Sequence, residues 1–437
     1  MNVGFVGLGK LGLPVATCIA TKGHMVKGFD INPDNMQKTC NFVETGPTGA
    51  GPFLPFLENA DNLSFGTLEE VVEHSELIFL AVQTPHLPQY EGTMPIPKER
   101  VDFNYQYLID AVERVAALIE KDTALAIIST CLPGTMQQHI IPVIEDNPFV
   151  HLVYNPSFIA MGTVMRDYMD PEFILLGTHD EYATKLITEF YETITDAEQR
   201  VMSVESAELT KVTYNTFIGM KIALANTVME LCTYLPNTDS DDVMNALKKA
   251  HRRLTGPAYL TGGMGDGGGC HPRDNIAMSY LARKTGLSFD FFEAVMLSRE
   301  KQATWLAGLL HWYSSTVQLP AVILGMSFKP ETEIETGSPA MLVANLIHER
   351  FSNPVVCARS VDDMPLGACV ILLGCKKPEF KNYVPHTGSI VIDPFRYYEG
   401  DETHVTLTPR DVSSIVREQL QTTSVHIPLG KCPADVS

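Results

Sequence analysis

Three groups of residues have the types and spacing to do chemistry. In the first, Cys270 closes a run with six glycines in the eight positions 262–269, and Asp274 follows four residues later. A thiolate adds readily to a carbonyl carbon, and a carboxylate one helical turn away can take or return a proton. If a helix starts near Pro272, Cys270 lies just before its N-terminus, where the dipole and the unsatisfied N–H groups favour thiolate. Pro272 suits a first turn, since its missing N–H costs nothing there. A metal site is the poorer reading: Cys270 and His271 are adjacent, which ill suits two ligands of one ion, and no second cluster completes a tetrahedron. A small structural cysteine beside a loop stays open. The glycines imply that something comes close to this backbone.

The second group is Lys211 and Asn215 in "ESAELTKVTYN", four residues apart and so on one face of a helix. Alone they read as a solvated pair, and Glu208 with Lys211 as an ordinary surface ion pair. The third group is Gly7-x-Gly9-x-x-Gly12, directly after a strand and opening a helix, with Asp30 at the end of the next strand, 18 residues after Gly12. The first glycine permits a tight turn, the second lets a diphosphate approach, and the third lets helix and strand pack closely. The aspartate accepts hydrogen bonds from ribose hydroxyls, so the cofactor is expected to be NAD and not its 2′-phosphorylated form. Two further stretches punctuate strand ends. "STCLPGT" (129–135) places Ser129 and Thr130 where ligands bind in parallel sheets, and "YNPSFIAMG" (154–162) is by itself only a loop.

These groups need a frame. Apolar runs at 2–7, 24–31, 77–82, 124–129, 150–154 and 173–177 read as strands, with helices between several of them, as at 11–22 and 105–120. That alternation predicts a parallel sheet covered on both faces. From Glu205 to about Tyr234 the chain reads as one long helix, followed by helical pattern at 239–251, 274–285 and 288–313. Alternation resumes with strands at 321–326, 354–357, 369–374 and 389–393 and a helix at 338–350, while the tail after about 425 looks weakly structured. The expected fold class is α/β: two Rossmann-like parallel-sheet domains (1–202 and 316–437) joined by an all-helical segment (203–315) with a long helix.

The chain has 437 residues, 45% hydrophobic and 19% charged, with a formal net charge of −20. This composition suits a soluble globular protein with sizeable cores and argues against a nucleic-acid binder. No apolar run reaches ~18 residues, so no membrane span is expected. The N-terminus lacks a basic leader and reads as a strand and turn. The nine cysteines form no CxxC pairs, as expected of reduced thiols in the cytoplasm.

Taken in order, GLGKLG, STCLPGT, NPSFIAMG, AELTKVTYN, GGGCHPRD and LGMSFKP resemble the UDP-glucose/GDP-mannose dehydrogenase family, from Met1 to about Arg396. The resemblance implies oxidation of a nucleotide-sugar primary alcohol to the acid, with two NAD molecules used in succession. A UDP-sugar is the expected substrate: UDP-glucose, UDP-N-acetylglucosamine or UDP-N-acetylmannosamine. It further implies Cys270 as nucleophile, Asp274 as acid/base with a water, Lys211 and Asn215 on developing oxyanions, and Thr130 positioning water or substrate. Cofactor contacts would be Gly7, Gly9, Leu11, Gly12, Asp30, Thr84 and Thr130. Substrate contacts would be Asn155, Ser157, Phe158, Lys211, Asn215, Arg253, Gly267, Gly268, Lys329 and Arg396, with the third, C-terminal domain holding the nucleotide. A homodimer or higher homo-oligomer through the central helices is implied as well.

The chain also departs from the family. Ser157 stands where members usually carry a glutamate, and Met161 where many carry another; an arginine usual near Thr336 is absent, and His271 replaces an apolar residue. These departures mark a divergent branch and keep two other readings open. One is a two-electron dehydrogenase of the 6-phosphogluconate or hydroxyisobutyrate type, which also pairs Lys and Asn four apart. The other is a non-catalytic nucleotide-binding relative.

Overall fold

The computed structural model describes residues 1–85, 101–256, 261–265, 270–330, 332–351, 354–400, 405–406, 420 and 422–430. The chain divides into two compact units, Met1–Met220 and Lys221–Ser437.

The first unit opens with β1 (Asn2–Val6), α1 (Gly12–Thr21), β2 (Met25–Phe29), α2 (Leu54–Glu58), β3 (Leu63–Phe65), α3 (Leu68–His74) and β4 (Leu77–Leu80). It continues with α4 (Gln106–Ala116), β5 (Thr123–Ile127), α5 (Ile141–Ile144), β6 (Val150–Tyr154), α6 (Val164–Met169), β7 (Ile174–Gly177), α7 (Glu181–Glu192) and β8 (Gln199–Met202). The sheet order is β3-β2-β1-β4-β5-β6-β7-β8. Its first six strands are parallel and reverse order between β1 and β4, the Rossmann arrangement, which opens a ligand crevice at their carboxyl ends. Side chains alternate between faces. Val3, Phe5, Phe79 and Ala126 enter one buried cluster; Val6, Ile78, Leu80 and Ile127 enter the other. That is why these strands read as unbroken apolar runs.

Two details correct the sequence reading. The sheet is not parallel throughout, because β7 pairs antiparallel with β6 through Tyr154 and Gly177. The connection from β6 to β7 contains α6, a helix of only 6 residues. β3 and the polar β8, with sequence QRVM, have no apolar run to announce them.

A 31-residue helix, α8 (Val204–Tyr234), contains the boundary between the units and is about 45 Å long. The second unit continues with α9 (Ser240–Leu247), α10 (Cys270–Thr285), α11 (Phe291–Val317), β9 (Ala321–Leu324), α12 (Pro339–Phe351), β10 (Val355–Ala358) and β11 (Val370–Leu373). It ends with α13 (Pro378–Lys381), β12 (Ile390–Asp393), β13 (Val405–Thr406) and β14 (Val425–Pro428). Its parallel sheet runs β10-β9-β11-β12-β14-β13. Ile323, Leu372 and Ile392 face α11 and α12, whereas Val322, Leu324, Ile371 and Val391 face the opposite cluster with Phe380 and Tyr398. β14 overturns the expectation of a weakly structured tail from 425. It lies between β12 and β13, with Val425 and Ile427 fully buried. Four residues interrupted by His426 are too few to show a period.

Candidate active site

The glycine fingerprint meets three separate steric demands. Gly7 has φ +95°, and a Cβ there would strike the carbonyl oxygen of Ala81. A Cβ on Gly12 would strike the carbonyl oxygen of Gly7, so α1 can sit against the turn only without a side chain. Around Gly9 a Cβ would meet nothing within 4 Å, so that glycine leaves open space for a ligand. Leu11, at the N-cap of α1, offers no capping side chain, and the first turn holds no acidic residue, which leaves the positive end of the helix to an outside anion. The Asp30 carboxylate accepts from Leu8 N at 2.7 Å and from Asn32 N at 2.7 Å. It is thereby oriented by the glycine loop itself. A hollow of about 430 Å³ opens nearby, lined by Phe29, Met36, Phe65, Thr67 and Arg114 among others. These residues carry no sequence motif, and periodicity gave no reason to single them out. The residues present fit a dinucleotide.

The loops after β4 and β5 are joined at the carboxyl edge. Thr84 Oγ1 donates to the carbonyl of Thr130 at 2.8 Å, and Ser129 Oγ donates to the carbonyl of Val82. Thr130 itself is half-buried.

α8 adds three residues at helical spacing: Glu208, Lys211 and Asn215. Glu208 and Lys211 do not form the surface pair expected, because both are buried and each has its own partner. The Glu208 carboxylate accepts from Gly134 N at 2.6 Å and Met136 N at 2.8 Å, holding the 129–135 loop to the helix. Burial pushes its carboxyl up from the ordinary range, and the two backbone donors pull only part of that back. The Lys211 ammonium donates to the carbonyl of Ser157 at 2.6 Å and lies 5.0 Å from the centre of the Phe158 ring. Burial lowers its pKa. Phe158 is packed by Phe173 and Tyr214, each with ring centres 4.6 Å away. Asn215, one turn beyond Lys211, is exposed. Asn155 faces inward: its amide oxygen accepts from Tyr191 at 2.6 Å and its nitrogen donates to the carbonyl of Leu175 at 3.0 Å. The role of Glu208 was hidden in the sequence because its partners lie more than 70 residues away.

In the second unit, Cys270 is the first residue of α10, two positions earlier than the expected start at Pro272. Pro272 remains in the first turn, where no N–H is required of it. The Cys270 side chain, Gly267 and Gly268 lie outside the described residues. Asp274 and His271 are exposed, and Asn275 Nδ2 donates to the carbonyl of His271 at 2.9 Å. Arg253 is exposed in the turns after α9. Lys329 is exposed beyond β9, its ammonium 5.7 Å from the centre of the Phe328 ring. Arg396 is committed to main-chain carbonyls, at Pro394 (2.8 Å), Leu429 (3.0 Å) and Gly262 (2.6 Å).

Comparison with known proteins gives this geometry its context. The family model described as the NAD binding domain of the UDP-glucose/GDP-mannose dehydrogenase family matches residues 1–195, and that of the central domain matches residues 205–300. The chain belongs to the UDP-glucose/GDP-mannose dehydrogenase family. It is therefore an NAD-dependent oxidoreductase of the nucleotide-sugar dehydrogenase type. It is 26% identical over 359 residues to a UDP-glucose 6-dehydrogenase of Rickettsia bellii, covering 79% of this chain and 78% of that one. It is 25% identical over 406 residues to a GDP-mannose 6-dehydrogenase of Pseudomonas aeruginosa, covering 90% and 87%. The crystal structure of a ternary complex of GDP-mannose dehydrogenase from Pseudomonas aeruginosa shares the fold, with a TM-score of 0.80 at 22% identity over 98% of this chain and 99% of that one. Among the described residues no helix is long and apolar enough to cross a membrane.

Proposed function

We propose that this enzyme oxidises the primary alcohol of a nucleotide-bound hexose to the carboxylate, a four-electron oxidation through a cysteine-linked intermediate. One observation carries the reading over a two-electron one: Cys270 opens a 16-residue helix, where the positive end of the dipole favours thiolate. NAD, held by Gly7, Gly9, Leu11, Gly12 and Asp30, supplies the hydride acceptor when bound. The hollow beside Phe29 and Arg114 suits its planar base.

The chain's own residues do the rest. Cys270 Sγ bonds to the carbon of the intermediate aldehyde, giving a thiohemiacetal whose loss of a second hydride leaves a thioester. Water then cleaves the C–S bond, releasing the carboxylate and returning the thiol. The Lys211 ammonium, anchored on the Ser157 carbonyl, donates to the substrate oxygen as charge develops there, with Asn215 beside it. One such donor is typically worth roughly 3 kcal/mol. Asp274 holds the water and takes its proton, a share enlarged because Ser157 has no carboxyl to offer. Thr130 orients water or substrate, and Arg253 and Lys329 meet the diphosphate.

The enzyme acts as a homo-oligomer, in which a second copy covers the apolar side chains that α8 exposes, among them Phe217, Ile218, Met220, Ile222 and Met229. The deciding experiment follows NAD reduction over UDP-glucose, UDP-N-acetylglucosamine, UDP-N-acetylmannosamine and GDP-mannose. Two NADH per sugar supports the proposal, and one supports a two-electron enzyme. Full turnover to the acid by Cys270→Ser would refute the role of the thiol.

A further inference from the structure

We propose that Arg396 is a positioning residue, set by the buried carboxylate of Asp393, that holds the glycine segment 262–265 in the register from which Cys270 is presented. The inference rests on the reading of Cys270 as nucleophile.

Asp393 ends β12 and is fully buried. Its Oδ1 accepts from Phe395 N at 2.8 Å, and its Oδ2 from Tyr397 N at 2.6 Å and Tyr398 N at 2.8 Å. His426 Nε2 on β14 lies 3.4 Å from the same Oδ2. Three backbone N–H groups converging on one carboxylate curl the chain tightly. Arg396, the one residue of 395–398 that gives this carboxylate no hydrogen bond, takes φ +53°, a conformation that residues other than Gly, Asn and Asp seldom adopt. Such a backbone outlier points to function when its surroundings enforce it.

The turn sends the guanidinium onto the carbonyls of Pro394, Leu429 and Gly262. Gly262 is distant in sequence and begins the run that leads to Cys270. The next carbonyl, Gly263, accepts from Gln302 Nε2 of α11 at 2.9 Å. A Cβ on Gly263 would lie 2.8 Å from the Phe395 ring, and one on Gly265 would lie 3.3 Å from Arg299 Cγ. Two consecutive carbonyls are thus fastened by two side chains, and the missing Cβ atoms let the segment settle against the turn after β12 and against α11. A glycine run left to itself is the most mobile kind of chain. Fastened over 262–265, the segment fixes the end from which the chain goes on to Cys270. In this role Arg396 acts through the segment and does not touch substrate.

The test compares Arg396→Ala, Arg396→Lys and Gln302→Ala with the wild type. The rate of iodoacetamide modification at Cys270 is read by mass spectrometry on substrate-free enzyme. Amide exchange over 262–265 and the kcat and KM for the active nucleotide sugar complete the comparison. Misplacement of a reacting group by about 1 Å costs up to about 100-fold, so kcat should fall roughly 10- to 100-fold with KM within about threefold. Exchange over 262–265 should rise, and modification of Cys270 should change several-fold. Arg396→Lys, which keeps the charge but not the fork, should recover only part of the loss. Gln302→Ala should shift thiol reactivity and exchange in the same direction to a smaller degree, and it decides the matter if the Arg396 variants do not fold. A raised KM with unchanged thiol reactivity and exchange would overturn the inference and make Arg396 a substrate contact. Because exchange is read without turnover, failure here is distinct from failure of the nucleophile assignment, which Cys270→Ser tests.

Discussion

Replacing Glu208 with alanine isolates the strap between α8 and the loop that carries Thr130. The carboxylate is fully buried and its two oxygens accept from Gly134 and Met136 at 2.6 and 2.8 Å. Hydrogen bonds to a charged group contribute about 1.5–3 kcal/mol each, and an orphaned buried donor costs about 1–3 kcal/mol. Against this, truncation relieves the desolvation of a buried carboxylate, whose raised pKa shows that burial is not fully compensated. The net loss should be about 2–4 kcal/mol, which for a unit of 220 residues lowers Tm by roughly 5–15 °C. Because the folded pKa lies above the unfolded value, the titration of Glu208 contributes stability that is complete below pH ~4.3 and is lost as pH rises through the folded pKa. The Tm gap between wild type and Glu208→Ala should therefore narrow from pH 4 towards neutrality. Glu208→Gln, with one acceptor oxygen and one NH2 opposed to a donor, should regain less than half of the loss. Calorimetry decides. A Glu208→Ala variant within 2 °C of wild type at both pH values would show that the strap carries no stability and that the loop is held by other contacts.

Three further outcomes can be checked together. Gly9→Ala should leave Tm unchanged and weaken NAD binding, whereas Gly12→Ala, which drives a methyl onto the Gly7 carbonyl, should do both kinds of damage; equal effects in titration calorimetry would contradict the separate steric roles. Lys211→Met keeps the packed stem and removes a buried charge, so Tm should hold or rise while kcat falls about 100- to 1,000-fold in steady-state assays. His151 lies 2.8 Å from Asp180 and 3.3 Å from Asp122; burial lowers its pKa, but the two carboxylates outweigh it and the net shift is upward. Its contribution is complete below pH ~6.5 and is lost as pH rises through the folded value, so His151→Phe should flatten the Tm profile above pH 6.5.

What was legible in the sequence followed from local chemistry. β1, α1 and β2 were readable because the glycine spacing, the apolar runs and Asp30 all act within some 30 residues; in the structure Gly7 and Gly12 meet backbone that excludes a Cβ, and Gly9 faces open space. The long helix was readable because nothing in 205–234 breaks it. β8 and β14 were not, since QRVM and VHIP owe their strand state to neighbours supplied by distant segments. Side-chain assignments were harder still. Asn155 was expected to contact substrate only from the family resemblance, and its amide instead bonds to Tyr191 and Leu175, a pairing that only the tertiary fold creates. The glycine run was read as room for a ligand. At Gly263 and Gly265 the close neighbours are the protein's own Phe395 and Arg299.

The departure at Ser157 can now be weighed against the contacts around it. Lys211 is anchored by the main-chain carbonyl of residue 157, not by its side chain. Any residue there presents that carbonyl, so exchanging a carboxyl for a hydroxyl leaves the lysine where it is. The same holds for Glu208 on the amides of Gly134 and Met136, and for Thr84 on the carbonyl of Thr130. A site fastened through backbone groups tolerates wide divergence of its side chains while its geometry persists, which is how a chain about 25% identical to its relatives keeps their frame. The tolerance ends at chemistry that a side chain must perform. On the proposed mechanism a carboxyl at position 157 would share the water's proton, so with Ser157 there the work falls to Asp274, and the divergence should appear as a slower hydrolytic step that leaves hydride removal intact. An enzyme slowed there would accumulate the thioester on Cys270, and intact-mass measurement during turnover would find it. Absence of any such adduct during turnover would show that hydrolysis is not slowed and that Asp274 alone suffices as the base.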